Sequence, residues 1–110
     1  MLHLNRICIL TKNPHLLKDF YTDTLGLKIS YQDATHTNIE LEAGKSFLLI
    51  QKIIQNPTAR IRIGFQSENM KQFRKELQNK NIAVTSIKVK EGVFFFEIND
   101  PDGNEIFVYE

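Results

Sequence analysis

Arg6 and Arg62 stand 56 residues apart, and so do Gln51 and Phe107, each pair falling in strand-like apolar runs. A guanidinium is always charged and carries five N–H donors but no lone pair, so it pairs carboxylates or binds anions and cannot ligate a metal. Gln51 adds one carbonyl oxygen. Phe107 shares strand parity with Glu105 and Tyr109, a mixed face suited to lining a cavity, while Ile106 and Val108 turn toward a core. Glu105 could serve as a base and Tyr109 as an acid, but no His or Cys partner accompanies either, so no catalytic residue is named. Cys8 shares the face of Arg6, where a cation could lower its thiol pKa; a lone strand cysteine also reads as a small core residue. His3 has the opposite parity to Arg6, His15 sits in a first helical turn and His36 lies beside a turn. No two of them have the spacing to share a metal.

The elements that must position these residues repeat at the same offset. Arg6-Ile7-Cys8-Ile9 falls on Arg62-Ile63-Gly64-Phe65, Asn13 on Asn69, Leu17 on Phe73 and Ile50-Gln51 on Ile106-Phe107. Strand-like runs over 4–10 and 59–65 open the two halves. Helix starts follow, at Asn13 with Pro14 in the first helical position, and at Ser67 with Glu68 against the helix dipole. Leu16, Leu17, Phe20 and Tyr21 give one helix its apolar face; Met70, Phe73 and Leu77 give the other its own. Gly26 and Lys80-Asn81 mark the helix ends. Three strands then follow in each half, over 27–31, 37–41 and 47–52, and over 83–87, 93–98 and 105–109. Turn signals separate them, the strongest being Asp100-Pro101-Asp102-Gly103.

The order is therefore βαβββ twice, an α+β class. Module 1 covers about 1–55 and module 2 about 56–110, joined near Gln55 to Thr58. Neither half could bury its sheet alone, which predicts a curved mixed sheet around a cavity with the helices on the outer face.

Composition narrows the function classes. The chain has 110 residues, enough for one domain with a real core. Fourteen basic against thirteen acidic residues leave +1, which points to neither nucleic acid nor a membrane surface. Lys71, Arg74, Lys75 and Lys80 alternate with Glu76 as a solvated helix face would. The single cysteine excludes an internal disulfide and suits a reducing cytoplasm. No signal peptide or membrane-length apolar segment is evident.

With the repeat in place, Asp19-Phe20-Tyr21-Thr22-Asp23-Thr24-Leu25-Gly26-Leu27 and Asp100-Pro101-Asp102-Gly103-Asn104-Glu105-Ile106 resemble segments of the vicinal oxygen chelate superfamily. That superfamily includes glyoxalase I, bleomycin-resistance proteins, extradiol dioxygenases and methylmalonyl-CoA epimerase. The resemblance covers the whole chain. It implies a glyoxalase-like fold and leaves the activity open, because this scaffold hosts unrelated functions. In metal-dependent members four positions supply His, Gln or Glu ligands. Carried onto this chain they read Arg6, Gln51, Arg62 and Phe107, which offer a single ligand oxygen between them. No metal and no cofactor are expected.

Two arginines and a glutamine at those positions imply a small-molecule site for a carboxylate or phosphate, with Phe107 and Tyr109 as aromatic surface. The same arginines could instead pair with Glu40, Glu42, Glu97 or Glu105 across the sheet. The function expected is metal-independent small-molecule binding through Arg6, Gln51, Arg62, Phe107 and Tyr109, by a homodimer such as short members of the superfamily commonly form. The rivals are a glyoxalase-type lyase, isomerase or dioxygenase with a non-standard site, and a drug-sequestering resistance protein.

Overall fold

The computed structural model describes residues 1–55 and 61–110. The expected joint and the start of the run over 59–65 fall largely outside the described residues. The chain divides into compact units Met1–Ala59 and Arg60–Glu110.

In the first unit β1 (Arg6–Thr11) leads to α1 (Pro14–Asp19), then β2 (Lys28–Gln32), β3 (Asn38–Ala43) and β4 (Ser46–Lys52). In the second, β5 (Arg62–Gln66) leads to α2 (Met70–Asn79), β6 (Lys88–Lys90), β7 (Val93–Asn99) and β8 (Glu105–Tyr109). The expected βαβββ order thus occurs twice. Each unit forms a four-stranded mixed sheet, ordered β1-β4-β3-β2 and β5-β8-β7-β6. The first strand of each unit pairs parallel with its last, and the remaining pairs are antiparallel.

Period-2 alternation sorts the side chains. In the first unit Ile9, Thr11, Ile39, Leu41, Leu48 and Ile50 are buried with Leu17 and Tyr21, and α1 packs on β3 and β4. In the second, Ile63, Phe96, Ile98, Ile106 and Val108 are buried with Met70 and Leu77 of α2. The opposite sheet faces carry Arg6, Cys8 and Gln51 in one unit, and Arg62, Phe107 and Tyr109 in the other.

Local chemistry explains where the boundaries differ from expectation. The α2 cap is Asn69, whose side chain accepts from Gln72 N at 3.1 Å; Ser67 instead accepts from Asn69 N. The first helix widens into a π-helical turn over Phe20–Thr24, where Leu25 N reaches back to Phe20 O. The strand expected over 83–87 is regularly paired only from Lys88. Thr85 N still donates to Glu97 O at 3.0 Å, but Glu97 N donates to the Thr85 hydroxyl while the Thr85 carbonyl accepts from Arg74 Nε, so the pair is incomplete and the ladder is interrupted.

The Asp100 turn forms as its residue types dictate. The Asp100 carboxylate accepts from Asp102 N, Asn104 N and Asn104 Nδ2 at 2.8–2.9 Å. Asn104 Oδ1 accepts in turn from Ile61 N, which ties the turn to the start of β5. In the first unit Asp33 plays a comparable part, accepting from the backbone and side chains of Thr37 and Asn38. Those bonds, Thr37's foremost, hold its carboxyl far below the usual carboxylate range.

Candidate functional site

The second unit brings its candidate residues together. In the parallel β5–β8 pair Arg62 faces Glu105 and Gly64 faces Phe107. Gly64 has no side chain, and the Phe107 ring lies across its backbone; any Cβ there would overlap the ring. The Arg62 guanidinium sits over the ring at 4.3 Å from the centroid. Tyr109 stacks on Phe107 at 5.8 Å and 27°, and Phe95 of β7 meets Phe107 edge-on at 6.5 Å.

Carboxylates fix the guanidinium from the side. Arg62 Nη2 donates to Glu97 Oε2 at 3.2 Å, and Arg62 Nε lies 3.3 Å from Glu105 Oε2. Lys88 Nζ donates to the other Glu97 oxygen at 2.8 Å. Lys88 first, then Arg62, hold the Glu97 carboxyl below its ordinary range. These four side chains sum to zero charge. Glu97 and Glu105, with Thr85 and Asn99, also border an open groove of about 350 Å³.

The first unit uses similar parts differently. Arg6 lies 3.3 Å from Glu40 and its guanidinium is 5.5 Å from the Phe47 ring centroid. Ser30 Oγ donates to the other Glu40 oxygen. Gln51 is not beside Arg6: the register sets Arg6 against Phe47 and Leu10 against Gln51, about 13 Å further along at 3.3 Å per residue. Gln51 Oε1 instead accepts from the Cys8 thiol at 3.1 Å. Burial pushes the Cys8 thiol pKa up, contrary to the activation by Arg6 that a shared strand face suggested.

The two registers revise the internal equivalence. Arg6 faces residue 47 while Arg62 faces residue 105, so the last strands correspond at an offset of 58, not 56. Gln51 therefore corresponds to Tyr109, and Leu49 to Phe107. Glu40 faces Leu49 and Glu97 faces Phe107, so Arg6–Glu40 and Arg62–Glu97 are one ion pair made twice.

Three of the four carboxylates named from sequence as possible arginine partners serve as such. Gly64, Lys88, Phe47 and Phe95 went unread as site residues. A glycine inside an apolar strand was the signal for the first, since it marks close approach of another group.

The metal that the resemblance implies finds no ligand set in these contacts. The only ligand oxygen among Arg6, Gln51, Arg62 and Phe107 is held by a thiol, and Phe107 fills the space above Gly64 with hydrocarbon. The residues present do not fit a divalent ion. Among the described residues no group of three His, Cys, Asp or Glu side chains is placed to hold a metal. No helix among them is long and apolar enough to cross a membrane.

No protein-family model matches the sequence, and no curated protein is significantly similar to it. Solved structures do match. An integron cassette protein, HFX_CASS4, from the mobile metagenome of a Halifax Harbour sewage outfall has a TM-score of 0.87 at 19% identity, covering 99% of this chain and 98% of its own. Lactoylglutathione lyase from Agrobacterium tumefaciens has a TM-score of 0.83 at 17% identity over 98% and 92%. TnmS3, an antibiotic binding protein from Streptomyces sp. CB03234, has a TM-score of 0.85 at 18% identity over 99% and 95%. At such identities the likeness establishes a shared fold.

Proposed function

For a chain with the glyoxalase-like fold of the vicinal oxygen chelate superfamily, we propose metal-independent binding of a small molecule on the sheet face of the second unit. The observation that carries this is the cluster of Arg62, Phe107 and Tyr109 on one exposed face. Half-buried aromatic rings beside a fixed polar rim suit an organic ligand. The bordering groove of about 350 Å³ is of small-molecule size. Arg6 and Gln51 make the corresponding face of the first unit, with Phe47 and Cys8.

The carboxylate partners argue against an anionic ligand. An oxyanion at Arg62 would have to displace Glu97 or Glu105, and one at Arg6 would displace Glu40. Catalysis has little support. Glu105 is occupied with Arg62 and the Cys8 thiol is not activated. Sequestration of an antibiotic is a second reading, favoured by the fold shared with TnmS3. A homodimer is supported by apolar side chains exposed near sheet edges, Ile29 and Tyr31 on β2 and Val89 with Phe94 on β6 and β7. Light scattering that returned a monomer at working concentration would remove that part of the proposal.

The binding proposal is tested by a thermal-shift screen of organic compounds against the wild type and the Phe107→Ala, Tyr109→Ala double variant. A true ligand at about 100 times its dissociation constant adds roughly 2.7 kcal/mol to the wild type. It should add far less to the variant. Equal shifts in both proteins would place binding elsewhere and overturn the assignment.

A further inference from the structure

The geometry points to the ligand class that the second-unit face takes: a planar, uncharged ring carrying N–H or O–H donors at its edge, laid on the open face of the Arg62 guanidinium. This deepens the small-molecule reading above and rests on it.

The argument follows what each part of the guanidinium is already doing. Its donors lie in its own plane, and recognition of a carboxylate or phosphate uses two of them side by side. Nε is engaged by Glu105 and Nη2 by Glu97, so an oxyanion at the Nε–Nη2 edge would have to displace a carboxylate. One face lies over Phe107. Phe107 in turn lies across the bare backbone of Gly64 and against Tyr109, so the ring is backed by the sheet and by its neighbour. The Arg62 side chain is nonetheless 48% exposed. Among the described residues neither its Nη1 group nor its second face meets a partner.

Charge selects against an anion in the same way. Arg62 and Lys88 are balanced by Glu97 and Glu105, so the cluster offers an oxyanion no net attraction. A guanidinium face is weakly hydrated and stacks readily on π systems, and stacking displaces none of the bonds already made. The rim then supplies the polarity. Glu97 and Glu105 are acceptors at the edge of the guanidinium, and the groove beside them has room for substituents. Acceptors at the rim call for donors on the ring, as in a phenol or an N–H heteroaromatic.

The test uses 7-hydroxycoumarin at a pH where it is neutral, with sodium benzoate and inorganic phosphate as anionic probes. Binding is followed by coumarin fluorescence and by 15N NMR of the Arg62 Nε–H. In the wild type 7-hydroxycoumarin should bind and shift the Arg62 Nε resonance by its ring current, while neither anion does so. Arg62→Lys keeps the charge and removes the planar face, and should weaken coumarin binding about fivefold, the size of one stacked cation–π contact. The NMR shift on unaltered protein decides the matter even where the variant folds poorly. Coumarin binding that leaves Arg62 unshifted and is equal in Arg62→Lys overturns this inference and spares the small-molecule reading. Phosphate or benzoate binding at Arg62 in preference to coumarin also overturns it. No perturbation of Arg62, Phe107 or Tyr109 by any probe, nor by any compound of the wider screen, overturns both.

Discussion

The two sheet faces start from one plan and diverge two residues along the first strand. Arg6–Glu40 and Arg62–Glu97 are the same ion pair at the same register. Two residues further along, the first unit has Cys8 and the second has Gly64. Cys8 has a side chain, which reaches Gln51 on the neighbouring strand. Gly64 has none, so Phe107 can lie flat, support Arg62 from below and stack with Tyr109. Absence of a side chain is therefore what builds the denser site. The first unit leaves Arg6 and Gln51 apart, while the second gathers all three of its candidates.

The sharpest way to break this contrast is Gly64→Val. The ring would have to leave its seat, and overpacking of this kind costs about 2 kcal/mol. Cys8→Val, on the exposed face of β1, should stay within about 0.5 kcal/mol. Urea denaturation of both variants checks the difference, and equal costs would deny that the Gly64–Phe107 contact matters.

A smaller effect is expected from the arginines. Arg62→Ala removes two ion-pair contacts and a close ring contact and should cost about 1 kcal/mol; Arg6→Ala, with one carboxylate and a more distant ring, should cost about half that. Paired denaturation curves check the order, and equal or reversed costs would deny that the second carboxylate and the closer ring matter.

The pH dependence sharpens the comparison further. Glu97 is depressed in the folded protein, so its contribution to stability is present above the ordinary carboxylate range. That contribution is lost as pH falls through the folded value. Arg62→Gln removes one of the two causes and should move the carbon-detected NMR titration of Glu97 upward. The Asp33 titration, set by Thr37 and Asn38 in the other unit, should not move. A shift at both sites would mean that the variant disturbs the protein globally.

The smallest expected effect is that of metal. Chelator, or manganese, nickel or zinc at stoichiometric excess, should move the melting temperature by less than about 1 °C, because a ligand must bind the folded state to stabilise it. A saturable upward shift would restore the metal-dependent rival.

Local chemistry was readable where it was self-contained. Asp100, Pro101 and Gly103 encode a turn through their own side chains and backbone preferences, and the turn forms with Asp100 as its acceptor. The Ala83–Ile87 segment was misread for the opposite reason. Its residue types suit a strand, but Arg74, from another element, takes the Thr85 carbonyl that a ladder would have used.

From the sequence alone follow the doubled βαβββ order, the face on which each strand residue lies, and the absence of metal donors from Arg6, Arg62 and Phe107. These depend on side-chain chemistry and on local periodicity, which neighbouring residues set. Tertiary structure decided the two-residue shift that matches Phe107 with Leu49, the choice of Glu40, Glu97 and Glu105 as partners, and the seat of Phe107 on Gly64. Those depend on how distant strands slide past one another as they pair. Burial of a whole sheet face sets that register, and no short stretch of sequence carries it.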